Sequence, residues 1–312
     1  GHIDQNSLYR SDNHWMKRTT FRLAESATIK ALGLQVNAAL DGYRQHQEHP
    51  YTSTSNSYYH VFSHINNQSP MRPGVNKFGL PYNVTDNPVA ETASDAGYQR
   101  SIVNVINGKG ELVWSCLWVD GLKVRLASNY RYYGETYKNW RKDAAQYDWE
   151  SDVAQYANKP QLSHTSGTGY SYTNQAFVEY ANTFGQHNIS ALGGFEQYYE
   201  KGESYNASRS GYDFSIDQMG VGPANDQLNG GSESELGRAA WIGQVKYNYA
   251  NKYYAEGSIR YDGSDYFAPG HRWGAFFSGA LGWVISEEKF MKSLVEKNIF
   301  NSLKLRASYG QT

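Results

Sequence analysis

Trp140, Asp143, Tyr147, Asp148, Trp149, Glu150 and Asp152 crowd into one polar stretch, and their types suit sugar chemistry. Aromatic ring faces stack on the C–H surfaces of a sugar, while carboxylates accept protons from its hydroxyls. The same residues would equally make a loop packed on the body of the protein or on a partner. Two carboxylates can also act as acid and base in glycoside hydrolysis, but only at a separation that the fold must set. Other chemistry is sparse. His46 and His49 flank Gln47 and Glu48, a weak metal pair at the end of an expected strand. Gly220-Val-Gly222 lacks the strand-then-helix setting of a nucleotide loop, and the phosphate-loop, zinc-protease and serine-hydrolase motifs are absent. Asn188 and Asn206 begin sequons that arise readily by chance. The single cysteine, Cys116, has no internal partner and no zinc spacing. No cofactor or metal is expected.

Composition narrows the field. The 312 residues carry 29 Lys+Arg against 30 Asp+Glu, a formal net charge of −1. Nucleic acid is therefore not an expected partner, since phosphate binding needs a basic surplus or stripe. The longest apolar run, residues 275–285, is too short for a bilayer-crossing helix, which takes about 20 residues. What stands out is 27 Tyr, 8 Trp, 12 Phe and 30 Gly beside only 4 Met. Abundant rings and glycine with little aliphatic bulk indicate β-structure. The chain opens on Gly1 without a leader and stops at Thr312 inside an alternating stretch, so it reads as an internal piece of a longer polypeptide.

Period-2 alternation is the dominant pattern. Trp241, Gly243, Val245, Tyr247 and Tyr249 alternate with Ile242, Gln244, Lys246 and Asn248. Tyr253, Ala255, Gly257, Ile259 and Tyr261 alternate with Tyr254, Glu256, Ser258 and Arg260, and Leu303, Leu305, Ala307 and Tyr309 with Lys304, Arg306 and Ser308. The pattern predicts about ten strands, near 16–27, 33–46, 100–118, 121–135, 170–184, 187–203, 237–250, 252–264, 272–285 and 303–312. Connections alternate between very short ones and the long stretches 47–99, 136–169 and 204–236. One plain rim and one decorated rim is the organisation of outer-membrane barrels. A soluble sandwich also alternates, but its inner face favours Val, Ile and Leu. Here Tyr247, Tyr249, Tyr253, Tyr261, Trp241, Trp273 and Trp283 sit at strand ends, where interfacial girdles fall. The expected fold is all-β, an antiparallel transmembrane β-barrel with long extracellular loops.

Three motifs carry a family resemblance. They are Arg260-Tyr-Asp-Gly-Ser-Asp-Tyr-Phe-Ala-Pro-Gly-His-Arg-Trp-Gly274, then Gly282-Trp-Val-Ile-Ser-Glu-Glu-Lys-Phe-Met291, then Leu303-Lys-Leu-Arg-Ala-Ser-Tyr-Gly-Gln-Thr312. In this order and spacing they resemble the SusC/RagA class of TonB-dependent outer-membrane transporters of Bacteroidota. Phe184 to Glu196 resembles the preceding hairpin of that class. The strong likeness covers about 170–312 and a weaker one reaches back to residue 16. Phe276-Phe277-Ser278 replaces a common Phe-Pro-Ser step, and Tyr266 stands where a basic residue is frequent. Nothing in the chain resembles the plug domain, the TonB box or the C-terminal strand of the class. Residues 1–312 would then be a partial barrel domain, under half of a plugged barrel of about 22 strands.

The resemblance implies TonB-dependent uptake of a large nutrient, an oligosaccharide first and a peptide second, and no enzyme activity. It implies a SusD-like surface lipoprotein, the TonB–ExbB–ExbD complex, outer-membrane lipid and the cargo as partners. Lys246, Glu256, Arg260, Lys304 and Arg306 would face the lumen, with general lumen polarity the plainer account of them. In the motif loop, Asp262-Gly263 and Pro269-Gly270 are turn formers, Asp262 is placed to pair with Arg272, and Trp273 begins the next strand. Residues 286–297 read as a short helix capped by Ser286. Trp140, Asp143, Tyr147, Trp149 and Glu150 remain the candidate cargo contacts. Two rival readings stand, a soluble or surface-attached glycan-binding β-protein and a secreted polysaccharide hydrolase.

Overall fold

Alternation of this kind can only be satisfied by strands that each find a neighbour on either side, and a meander supplies them locally. The computed structural model describes residues 1–6, 14–51, 59–156, 158–291 and 302–311. Among these, β1 (His2–Asn6), β2 (Trp15–Ile29), β3 (Leu34–Pro50), β4 (Tyr98–Ser115), β5 (Leu122–Arg141) and β6 (Gln161–Phe184) follow one another. They continue into β7 (His187–Ser210), β8 (Gln227–Tyr249), β9 (Tyr253–Ser264), β10 (Trp273–Val284) and β11 (Lys304–Gly310). All eleven lie in one sheet in strict chain order, each antiparallel to the next. The sheet does not close on itself; β1 and β11 are its two edges. No helix among the described residues is long and apolar enough to cross a membrane.

Two differences from the sequence expectation have a common cause. The described residues hold eleven strands against about ten expected, and β5 to β8 run to 20, 24, 24 and 23 residues. A tilted span needs only about 9–11 residues. Roughly the far half of each of these strands therefore rises past the membrane, where both faces meet water and side-chain alternation fades. Thr165 to Gly169 and Gly230 to Glu235 are such segments: polar on both faces, yet the first is paired with both β5 and β7 and the second with β7. The expected loops 136–169 and 204–236 shrink accordingly to 142–160 and 211–226. The edge strand β1, His-Ile-Asp-Gln-Asn, has no alternating apolar face to announce it.

Register assigns the faces. Tyr249, Tyr253 and Trp283 lie side by side near the short-turn rim, and Trp241 and Tyr261 pair on the same face toward the other rim, where Trp273 pairs with Gly263. Tyr249 packs on Tyr253, Tyr261 stacks on Trp273 at 5.0 Å, and Phe195 meets Trp241 at 4.8 Å. Between the two rows stand Val245, Ala255, Ile259, Phe277 and Leu281, the last 66% exposed in this sheet. From Tyr249 up to Trp241 the strand climbs about 26 Å, or about 20 Å of height at the usual barrel tilt. That matches the apolar band of an outer-membrane barrel, with rings at both interfaces. Glu25, Ser128 and Asn174 interrupt this face on β2, β5 and β6, and Ser128 donates its hydroxyl to Asn174 Oδ1 at 2.8 Å.

Little of the chain is packed as an ordinary core. Its main apolar cluster joins Trp140 at the end of β5, Leu162 at the start of β6 and Tyr212, with Tyr98 and Met219 against it. The long connection after β3 carries α1 (Tyr59–Asn67) and α2 (Pro88–Glu91). Asn87 caps α2 by accepting from the Val89 amide at 3.0 Å, and Pro88 occupies the first helical position. Of the helix expected at 286–297, the described part, 286–291, holds two single 3-10 turns, Ile285–Glu287 and Lys289–Met291, with Ser286 inside the first rather than capping it. Residues 292–301 lie outside the described residues. Glu288 explains the break: it accepts from the Trp283 indole and the Tyr253 hydroxyl, which pins this segment to the strand ends.

Candidate functional site

The face opposite the aromatic rows carries the charged side chains, with Ile242 and Phe276 beside Arg260 among them, because successive side chains on a strand point to opposite sides. Lys246 and Glu256 are directly paired across β8 and β9, and their charged groups stand 3.6 Å apart. Gln244 donates to the same carboxylate at 2.6 Å. Lys304 and Arg306 lie on the same face of β11, and the Lys304 ammonium sits 3.9 Å over the Tyr254 ring. Lys246, Tyr254, Glu256, Lys304 and Arg306 thus line one concavity near the short turns. Arg260 belongs to a second concavity nearer the other rim, with Glu196, Glu200, Arg238 and Asp262. Its Nε donates to Asp262 at 2.7 Å and it approaches Glu196 at 3.4 Å. These exposed ion pairs contribute about 0–1 kcal/mol each, so the face is held by the ladder beneath it and not by its charges.

The motif loop is a built turn. The His271 amide donates to the Ala268 carbonyl at 3.0 Å, Pro269 takes the second position, and Gly270 the third at φ 89°. That is a type II turn, whose third position disfavours any side chain. Gly263 is required for a different reason: it pairs with Trp273, and a Cβ there would come within 2.7 Å of the indole. The expected Asp262–Arg272 pair is not formed. Arg260 and Asp262 are two residues apart on one face of β9, so Asp262 takes the nearer guanidinium, and Arg272 Nε donates to the Phe267 carbonyl at 3.1 Å.

The aromatic and acidic cluster is dispersed by the fold. Trp140 is in β5, not in the loop, and only 4% exposed; its indole meets Tyr212 edge to face at 5.1 Å. It offers no ring face to a ligand. Asp143 accepts from Asn158 at 2.8 Å, and Asp148 from Gln155 at 2.6 Å. The Tyr147 backbone bridges to Pro81 and Asn83, and Trp149 sits 5.7 Å from Tyr82. Glu150 pairs with Lys77. This loop is therefore laced to the loop between β3 and β4, and Trp149 is the ring of the set that stays substantially exposed, at 43%. His46 and His49 point to opposite faces of β3, so they cannot share a metal. His46 instead meets the Trp15 ring at 4.6 Å.

A second polar constellation has no sequence signal at all. Asp217, in the loop after β7, receives Lys138 Nζ at 2.7 Å and the Tyr98 hydroxyl. Burial works to raise the Asp217 pKa, but the hydrogen bonds from Lys138 and Tyr98 prevail and hold it below the ordinary 3.8. A depressed folded pKa means that this latch adds stability above the unfolded value and loses it as pH falls through the folded one. Amide exchange in residues 211–226 of the full receptor is therefore expected to quicken as pH drops below 3.8, and Asp217→Asn to abolish that pH dependence. An unchanged profile in the variant would show that another group controls the loop.

No family model matches the chain. TonB-dependent receptor P39 of Formosa agariphila is 35% identical over 148 residues, which is 46% of this chain and 14% of that protein. TonB-dependent receptor SusC of Bacteroides thetaiotaomicron is 27% identical over 196 residues, 62% of this chain and 17% of that one. Among solved structures, the RagAB peptide transporter superposes with a TM-score of 0.68 at 19% identity, covering 95% of this chain and 33% of its own. The RagAB peptide importer in its open-open state gives 0.69 at 18% identity, covering 95% and 32%. The chain thus spans about a third of the solved barrels, and the matched segments a smaller share of the curated relatives. Motifs, register and relatives agree: the chain is similar to TonB-dependent receptors of the SusC/RagA class and has the fold of part of an outer-membrane β-barrel wall.

Proposed function

We propose that the complete receptor takes up a large nutrient by TonB-dependent transport, an oligosaccharide first and a peptide second. Residues 1–312 supply wall and outer loops as a partial barrel domain. The observation that carries this reading is the two-faced sheet: one side graded in aromatic and apolar rows for lipid, the other charged from the short turns to the outer rim. Further strands would pair with the free edges of β1 and β11, since an open edge has no hydrogen-bond partners in hydrocarbon. A plug outside this chain would engage the TonB–ExbB–ExbD complex, and a SusD-like lipoprotein would cover the outer loops. Lys246, Glu256, Arg260, Lys304 and Arg306 line the path as general lumen polarity, and Trp149 is the ring best placed for cargo.

Catalysis has little support. Asp143, Asp148 and Glu150 are each engaged by Asn158, Gln155 and Lys77, and the relatives are receptors and transporters. The soluble glycan binder and the secreted hydrolase would leave the row from Tyr249 to Trp241 facing water without purpose. The test is growth of the source bacterium with the full gene deleted, on oligosaccharides and on peptides as sole nutrient. Loss of growth on one class, and an equal loss when TonB alone is removed, is expected. Unimpaired growth on both would sink the transport reading.

A further inference from the structure

The segment joining β3 to β4 has a feature that the barrel wall does not need. His64 from α1, Asp86 from the turn before α2 and Glu91 at the end of α2 lie close together. His64 Nδ1 lies 2.9 and 2.8 Å from the two Glu91 oxygens, and its Nε2 lies 3.8 Å from Asp86 Oδ1. The side chains of His64 and Glu91 are 7% and 11% exposed. One ligand atom from each residue falls within 4.8 Å of the others. We propose that these three residues bind a divalent transition metal, zinc foremost, which fastens α1 to α2 on the outer surface of the receptor.

Two carboxylates beside a neutral imidazole match a divalent cation in formal charge and in donor type. The donor set of one nitrogen and two carboxylate oxygens suits zinc, at about 2.0–2.2 Å per bond, and the imidazole disfavours calcium, which takes oxygen alone. Such bonds hold ligand atoms about 3–3.5 Å apart; Glu91 faces Nδ1 and Asp86 faces Nε2, so His64 would bind through one nitrogen and the carboxylate at the other would swing round to join it. The segment also has use for a fastener. Among the described residues of 59–97, the buried apolar side chains are Val61 and Ala90, beside the polar His64, Asn76, Asn87 and Thr92. So small an apolar core falls short of holding two helices together, and bound metal commonly supplies the difference in such units.

The test uses the full-length receptor in detergent, stripped with a chelator, reloaded with zinc sulfate and freed of excess metal. One zinc per chain is expected by elemental analysis, with at least a tenfold loss in His64→Ala and in Glu91→Gln. X-ray absorption of the loaded wild-type protein should show nitrogen and oxygen ligands and no sulfur. Zinc should also slow proteolytic cleavage within residues 51–97 by tenfold or more. Absence of retained zinc in the wild type, full retention in both variants, sulfur ligation, or cleavage indifferent to zinc would each overturn the proposal. None of these readings depends on transport, so the uptake proposal stands or falls separately.

Discussion

An arginine at Val245 is expected to destabilise the receptor in bilayers by about 2–4 kcal/mol, the cost of a cation near the midplane of a lipid-facing barrel surface. Val245 lies between Tyr249 and Trp241 on the outward face, with Ala191 and Gly257 beside it on the neighbouring strands. One residue earlier, Gln244 faces the opposite side next to Glu256, so Gln244→Arg is expected to change stability by no more than about 0.5 kcal/mol. Urea unfolding of the full-length receptor folded into lipid vesicles measures both. The contrast between neighbours is what matters, because period-2 geometry sends adjacent side chains to different solvents. Equal costs at the two sites would mean that the Val245 face is not lipid-exposed, and the assignment of lumen and exterior would have to be reversed or abandoned.

Trp140→Ala is expected to cost about 3–5 kcal/mol, the usual range for removing a large buried aromatic side chain. The loss falls in one place. Trp140 closes the cluster with Leu162 and Tyr212, and Tyr212 begins the loop that carries Asp217 back to Lys138 and Tyr98. Without the indole, Tyr212 loses its edge-to-face neighbour, and the latch must hold the loop alone. Amide exchange and proteolysis confined to residues 211–226 should rise steeply, while the outward face from Tyr249 to Trp241 remains protected. Cargo affinity is expected to be unchanged, since the ring has no exposed face. Trp149→Ala reverses the pattern, weakening cargo binding with little effect on stability. A Trp140→Ala receptor with normal loop protection but weakened cargo binding would return Trp140 to the contact role its composition first suggested.

The contrast between those two tryptophans shows where reading along the chain stops being informative. Both stand beside carboxylates in a polar stretch, and nothing local separates them. Trp140 is buried because Leu162 and Tyr212 arrive from the next two strand ends; Trp149 is exposed because its neighbours are loop residues. The same limit hid the Asp217 latch, whose three members come from β4, β5 and a loop far downstream, and the grouping of His64 with Asp86 and Glu91. It also misdirected Asp262, for which Arg272 looked suitable by charge while Arg260 was closer by register.

Whatever depends on period alone was settled by the order of residues. Alternation at Trp241 to Tyr249 and Tyr253 to Tyr261 dictated strand, face and the two aromatic rows, because a strand has one side-chain period and a wrong register would exchange lipid for water at every position. The motif from Arg260 to Gly274 carried the family resemblance in the same way, through local turn chemistry at Pro269-Gly270 and the small Gly263 under Trp273. Strand length beyond the membrane was decided only in three dimensions. There both faces meet water, alternation has no energetic meaning, and Thr165 to Gly169 is strand solely because β5 and β7 offer it hydrogen bonds.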